Sequence, residues 1–119
     1  MLLDQAIPWH AQWKLTFRSA IMKKERIDAT FVLQDDGCLL GQWLHGAGAA
    51  KFVDNPHFDA CRQKHADFHR EAGKIARAIS DGKFDEADTM LNRGTAYSIA
   101  SSDVSAAIIE LKRDILVAT

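Results

Sequence analysis

The 119-residue sequence is poor in residues that cross-link or interrupt a chain, with two cysteines and two prolines. So few cysteines argue against a disulfide scaffold. No apolar run approaches the ~18–20 residues of a membrane-spanning helix. Neither charge dominates, since 15 basic residues stand against 16 acidic ones, and a phosphate-binding basic surface is therefore not expected. We expect neither a nucleic-acid partner nor a membrane partner.

The composition is that of a globular domain, with 47% hydrophobic and 26% charged residues. This length suits one domain, spanning residues 1–119, with a hydrophobic core of its own. The first residues carry no basic segment ahead of an apolar run, so no signal peptide is expected. The predicted compartment is the cytoplasm.

Helical periodicity covers most of the chain. Apolar side chains recur at steps of three and four over residues 4–24, 56–80 and 83–115, which is the pattern of amphipathic helices. Asn55-Pro56 is a typical helix start, with Asn as the cap and Pro in the first turn. The sequence predicts an all-α protein, an antiparallel four-helix-type bundle of three long helices and one short helix.

The short helix is predicted over Cys38–Leu44, with Gly46 and Gly48 at its end. In the last long helix, Ser101–Asp103 is the segment predicted to bend or interrupt it.

Three histidines fall on predicted buried faces. His10 is in step with Trp13 on the apolar stripe of the first helix, and His65 and His69 are one turn apart on the stripe of another. A buried imidazole needs partners for its nitrogens. Ordinary hydrogen bonds within the core are one interpretation, and a shared metal ion is the other. Zinc fits the second, because it prefers nitrogen and sulfur donors in a tetrahedron.

Two cysteines compete for the fourth zinc position. Cys38 precedes a predicted helix, where the helix dipole and the metal both favour thiolate. Cys61 and His69 are eight residues apart, about 12 Å along a straight helix, whereas two donors on one zinc lie within about 4 Å of each other. We therefore predict Cys38 as the ligand and Cys61 as a packed core thiol. His45 and His57 are interpreted as surface or loop residues.

The order of these residues resembles the chemoreceptor zinc-binding (CZB) domain family of bacteria over nearly the whole chain. The elements that carry the resemblance are His10-Ala11-Gln12-Trp13, Cys38-Leu39-Leu40-Gly41-Gln42-Trp43, the glycines 46 and 48, Pro56-His57-Phe58, and the pair His65 and His69. The resemblance implies one Zn²⁺ per chain. Its ligands would be the four residues that the spacing also indicates, His10, Cys38, His65 and His69. It also implies a helical bundle, often homodimeric, that senses zinc or oxidants.

Members of that family usually accompany methyl-accepting chemoreceptors or diguanylate cyclases. This sequence carries no such output domain. We therefore expect it to act on a signalling protein in trans, or to be a zinc-holding module or a piece of a larger receptor. Four protein ligands would close the zinc site, so no enzyme is expected. Trp13 and Trp43 are predicted to wall the site, and Cys38 to be its redox-sensitive ligand.

Two rival functions are an interaction module whose zinc is permanent and has no sensing role, and a metalloenzyme or di-iron carrier built on a helical bundle. The second needs a Glu-x-x-His pattern, which the histidines of this sequence do not show.

Overall fold

The computed structural model describes residues 6–25, 27, 39–52 and 54–118, and every regular element within them is a helix. The helices are α1 Ala6–Lys23, α2 Leu39–His45, α3 Ala47–Phe52, α4 Pro56–Ser80, α5 Phe84–Met90 and α6 Ala96–Ala118. The all-α prediction with three long helices is confirmed, whereas the antiparallel four-helix arrangement stays a prediction. None of these helices combines the length and the apolar character needed to cross a bilayer.

Helix α4 begins where the sequence predicts. Asn55 is its N-cap, and the side-chain oxygen accepts hydrogen bonds from the backbone N–H groups of His57 at 2.8 Å and Phe58 at 3.1 Å. Pro56 follows in the first turn, where its missing N–H costs no hydrogen bond. The start of α4 is therefore fixed by local sequence, which sets the register of the residues that follow.

The core is organised around α4, which packs against α1, α2, α5 and α6. Its buried face presents Phe58, Cys61, His65, Phe68, His69, Ala72, Ile75, Ala76 and Ile79. Phe17 of α1, Leu44 of α2 and Leu111 of α6 belong to the same hydrophobic core and are fully buried. Each such side chain contributes about 1.5–3 kcal/mol through its removal from water.

The predicted end of the short helix is wrong at Gly48. Gly46 separates α2 from α3, but Gly48 lies inside α3. A Cβ atom on Gly48 would stand 2.9 Å from three ring carbons of Trp43. Glycine is therefore required there by the close approach of the indole ring.

The predicted start of the last long helix near Lys83 and the predicted place of its interruption are also wrong. The helical structure is interrupted between α5 and α6, where Gly94 has a φ of 86°. The segment Ser101–Asp103 instead lies within α6. The Thr95 hydroxyl is 2.8 Å from the carbonyl oxygens of Met90 and Asn92 and also receives the N–H of Ser98 at 3.3 Å. A left-handed glycine and a threonine cap outweigh the apolar periodicity that continues across the break.

Candidate metal centre

Helices α1 and α4 bring three histidines together in the core. His10 comes from α1, and His65 and His69 come from α4. One nitrogen of each ring lies within 4.8 Å of the others, and the three residues are 3%, 0% and 2% exposed. Among the histidine, cysteine and acidic residues of the described part of the chain, these three histidines form the group whose spacing could hold a metal ion.

The two histidines of α4 face each other across one helical turn. Their Nε2 atoms are 3.1 Å apart. Two nitrogens on a tetrahedral zinc, each about 2.0–2.1 Å from the ion, stand about 3.3–3.4 Å apart. The i, i+4 spacing that the sequence offers therefore places this pair at almost the separation that one zinc ion requires.

The hydrogen bonding of His10 fixes which nitrogen is available. Nδ1 lies 2.7 Å from the carbonyl oxygen of Ala6, and because a carbonyl only accepts, Nδ1 carries the proton. In the neutral ring the lone pair is then on Nε2. That atom is buried and has no hydrogen-bond partner among the residues that the structure describes. A backbone carbonyl that orients a histidine in this way is the usual outer partner of a metal ligand.

Burial favours the neutral form of His10 and His65. Desolvation lowers the pKa of His10 to about 4. It also lowers the pKa of His65, and the adjacent His69 and His10 add to the effect because like charges repel. Near pH 7 both rings are neutral, which is the form that binds a metal ion.

Phe68 is the aromatic residue that packs on the histidines. Its ring makes edge contacts with His10 and His69, at centroid distances of 5.0 Å and 5.7 Å. Sequence analysis did not single it out, although its position between the two α4 histidines on the apolar face was the available signal. The edge contacts shield the cluster from water.

The two tryptophans are placed in aromatic layers of the core. Trp13 stacks on Phe17 at a centroid distance of 5.7 Å. Trp43 packs against Phe52 and Phe58, at 6.0 Å and 5.8 Å. Their predicted role as walls of the metal site stays a prediction.

Of the two cysteines, only Cys61 lies within the described residues. Cys38 lies outside the described residues, so its predicted role as the fourth ligand stays a prediction. Cys61 is fully buried, and desolvation raises the pKa of its thiol to about 12. The interpretation of Cys61 as a core thiol agrees with this burial.

The two histidines predicted to be surface residues are exposed. His45 ends α2. His57 lies in the first turn of α4 and contacts acidic side chains of α6.

An all-helical fold with a buried three-histidine cluster defines a candidate metal-binding helical domain. The model of the chemoreceptor zinc-binding domain family matches residues 10–76, more than half of the chain. This protein belongs to that family. The matched range contains the three clustered histidines and Cys38, whereas α5 and α6 follow it. Searches of curated proteins and of solved structures gave no significant match.

The pKa of His10 predicts how the metal-free protein responds to acid. Its folded-state value of about 4 is below the ordinary 6.5, so the unfolded chain binds more protons between these values. The free energy of unfolding should therefore fall as pH drops from about 6.5 toward 4, by about 3 kcal/mol from His10 alone. Urea unfolding of the metal-free protein at several pH values measures this change.

The His10→Gln variant is the comparison, because it removes this titrating group. Its unfolding free energy should change less steeply over the same pH range. Equal slopes for the variant and the parent protein would contradict a neutral, buried His10.

Proposed function

We propose that this chain is a zinc-binding sensory domain, with one Zn²⁺ held by His10, His65, His69 and Cys38. The observation that carries the proposal is the buried Nε2 of His10, which lacks a hydrogen-bond partner in the described residues and belongs to a cluster of three imidazoles. Three nitrogens and one sulfur suit zinc well. The membership in the chemoreceptor zinc-binding domain family supports the same metal.

The proposed site is structural and regulatory, not catalytic. With Cys38 in the fourth position no coordination site is open to water, which a hydrolytic zinc centre needs. The ion would join α1 to α4 and tie both to the segment just before α2. Structural zinc contributes apparent binding free energies of about 10–16 kcal/mol in small peptides, so occupancy would strongly affect the stability of this arrangement.

Metal analysis tests the ligand set. The purified protein should contain one zinc ion per chain by elemental mass spectrometry. Alanine at position 10, 65, 69 or 38 should weaken zinc binding by more than about 100-fold in chelator competition, because even loss of a residue that orients a ligand costs about 10–100-fold.

His57→Ala is the matched control, since it removes an exposed histidine outside the cluster. This variant should keep one tightly bound zinc. A fully metallated His10→Ala protein with unchanged affinity would rule out the three-histidine site. An unchanged affinity in Cys38→Ala alone would reject only the fourth ligand.

The signal we propose is a change at Cys38. Oxidation of a zinc-bound thiolate to sulfenic acid weakens the bond to the metal, and would release the chain just before α2 from the ion. Free zinc would act on the same segment through occupancy. The output would pass in trans to a chemoreceptor or a diguanylate cyclase in the cytoplasm, as the family membership suggests.

Mild oxidation tests this mechanism. Hydrogen peroxide should modify Cys38 and release zinc in step, as followed by mass spectrometry and a zinc-sensitive dye. Cys61 is the internal control, because its burial and raised pKa keep it a protonated thiol. Modified Cys38 with zinc still bound would favour the rival function, an interaction module with permanent zinc.

We further propose that the chain forms a homodimer through the outer face of α6. Ile99, Ser102, Ala106 and Ile109 recur there at steps of three and four, and all four are exposed. The two isoleucines are 55% and 42% exposed. In an antiparallel pair centred near residue 104, Ile99 of one chain meets Ile109 of the other, and Ser102 meets Ala106. A face that complements itself in this way suits a two-fold interface.

Light scattering coupled to size exclusion tests this interface. Ile99→Glu and Ile109→Glu should each convert a dimer to a monomer, because each would bury a carboxylate against an isoleucine of the other chain. Leu15→Glu on α1 is the matched control, since Leu15 is 67% exposed but lies on another helix. The proposal is wrong if the parent protein is monomeric, or if only Leu15→Glu dissociates it.

A further inference from the structure

A second polar cluster joins α4 to α6 away from the metal centre. His57, in the first turn of α4, has Nδ1 at 2.6 Å from Oδ2 of Asp114 and Nε2 at 3.7 Å from Oε2 of Glu110. The two carboxylates are one turn apart on α6. Both nitrogens of one imidazole therefore face carboxylates of the same neighbouring helix.

Only the charged imidazole can donate a hydrogen bond to both carboxylates. A neutral ring carries one N–H and donates one hydrogen bond, whereas the imidazolium ion donates from both nitrogens. The closer contact, to Asp114, is short enough for a charge-assisted hydrogen bond. Geometry alone therefore couples the protonation of His57 to the contact between the two helices.

Asp114 also contacts the cap of α4. Its carboxylate accepts a hydrogen bond from the side chain of Asn55. The oxygen of that side chain is already used by the backbone N–H groups of His57 and Phe58, so the amide nitrogen is the donor. One carboxylate of α6 thus holds both the cap residue of α4 and the imidazole two residues later.

We propose that His57, Asp114 and Glu110 form a pH-sensitive latch, which holds the C-terminal part of α6 against the start of α4 when His57 is protonated. The latch involves neither zinc nor its ligands. It acts on α4, the helix that carries His65 and His69, and on the helix proposed to form the dimer. Proton concentration therefore becomes a second input to the same pair of helices.

The charges around His57 support this assignment. Asp114 raises its pKa by a hydrogen bond and by its charge, and Glu110 adds to the effect, while His57 lowers the pKa of Asp114. Asp54, just before the cap, is not among the groups that shift the pKa of His57. Other charged groups near the start of α4 make contacts of their own. Asp59 pairs with Arg62 at 2.6 Å, and Lys51 of α3 lies over the ring of Phe52.

Two further cations, Lys112 and Arg113, lie between the two carboxylates in sequence. Neither is among the groups that set the raised pKa of His57.

The direction of the pH response follows from the raised pKa. The folded state holds the proton more tightly than the unfolded chain, so the contact is fully formed below the ordinary value of 6.5. It is lost as pH rises through the higher folded-state value. Alkalinisation should therefore loosen the C-terminal part of α6 while the metal centre stays intact.

Imidazole NMR titration of the zinc-loaded protein provides the first test. His57 should titrate above 6.5 in the parent protein, and its pKa should fall toward that value in Asp114→Asn and by a smaller step in Glu110→Gln. A His57 that titrates at the ordinary value, or that does not respond to Asp114→Asn, would overturn the latch.

Amide hydrogen exchange provides the second test. After correction for the intrinsic pH dependence, backbone amides of residues 111–115 should exchange about two- to fivefold more slowly at pH 6 than at pH 9, the range expected for an exposed ion-pair network. His57→Gln should abolish this difference.

Asp103→Asn is the matched control, because it breaks the other ion pair between these helices, Lys64 with Asp103 at 3.6 Å. This variant should keep the pH-dependent difference. Equal protection at both pH values in the parent protein, or a difference that survives in His57→Gln, would refute the proposal.

Discussion

A neutral imidazole with a lone pair in the protein interior is the constraint on which the metal centre depends. The Ala6 carbonyl fixes the proton of His10 on Nδ1, which leaves Nε2 buried beside the two histidines of α4. Water does not reach this atom, so a partner must come from within the fold. A cation shared by the three rings would meet this need and would at the same time join α1 to α4. The same ion would therefore determine both the contact between these helices and the chemistry of the site.

Helix α4 carries residues of both polar clusters. Its first turn carries the Asn55 cap and His57, and its middle carries His65 and His69. Because Asn55 and Pro56 fix where the helix starts, they also fix how these side chains are turned toward α1 and α6. The same helix thus presents an exposed, titratable His57 and a buried, neutral His65. The two differ because carboxylates raise the pKa of the first, whereas desolvation lowers the pKa of the second.

Much of this architecture was predictable, and the misses have physical causes. The burial of the three histidines could be predicted from helical spacing, since each of them falls on a predicted apolar stripe. Gly48 was mistaken for an end signal, because its role depends on the ring of Trp43, which sequence alone does not place beside it. The break at Gly94 was missed because apolar periodicity continues through it. His57 was interpreted as an ordinary surface residue, since its carboxylate partners are 53 and 57 positions away.

The contact of Trp43 with Gly48 has a consequence for how the sequence can vary. The indole ring lies where any Cβ at position 48 would stand, and the ring also contacts Phe52 and Phe58. Substitutions at 43 and 48 are therefore not independent: a larger residue at 48 becomes tolerable only when the ring at 43 is reduced. Among related sequences the two positions should change together. As long as the tryptophan is kept, its close approach to Gly48 limits how α2 and α3 can pack against each other.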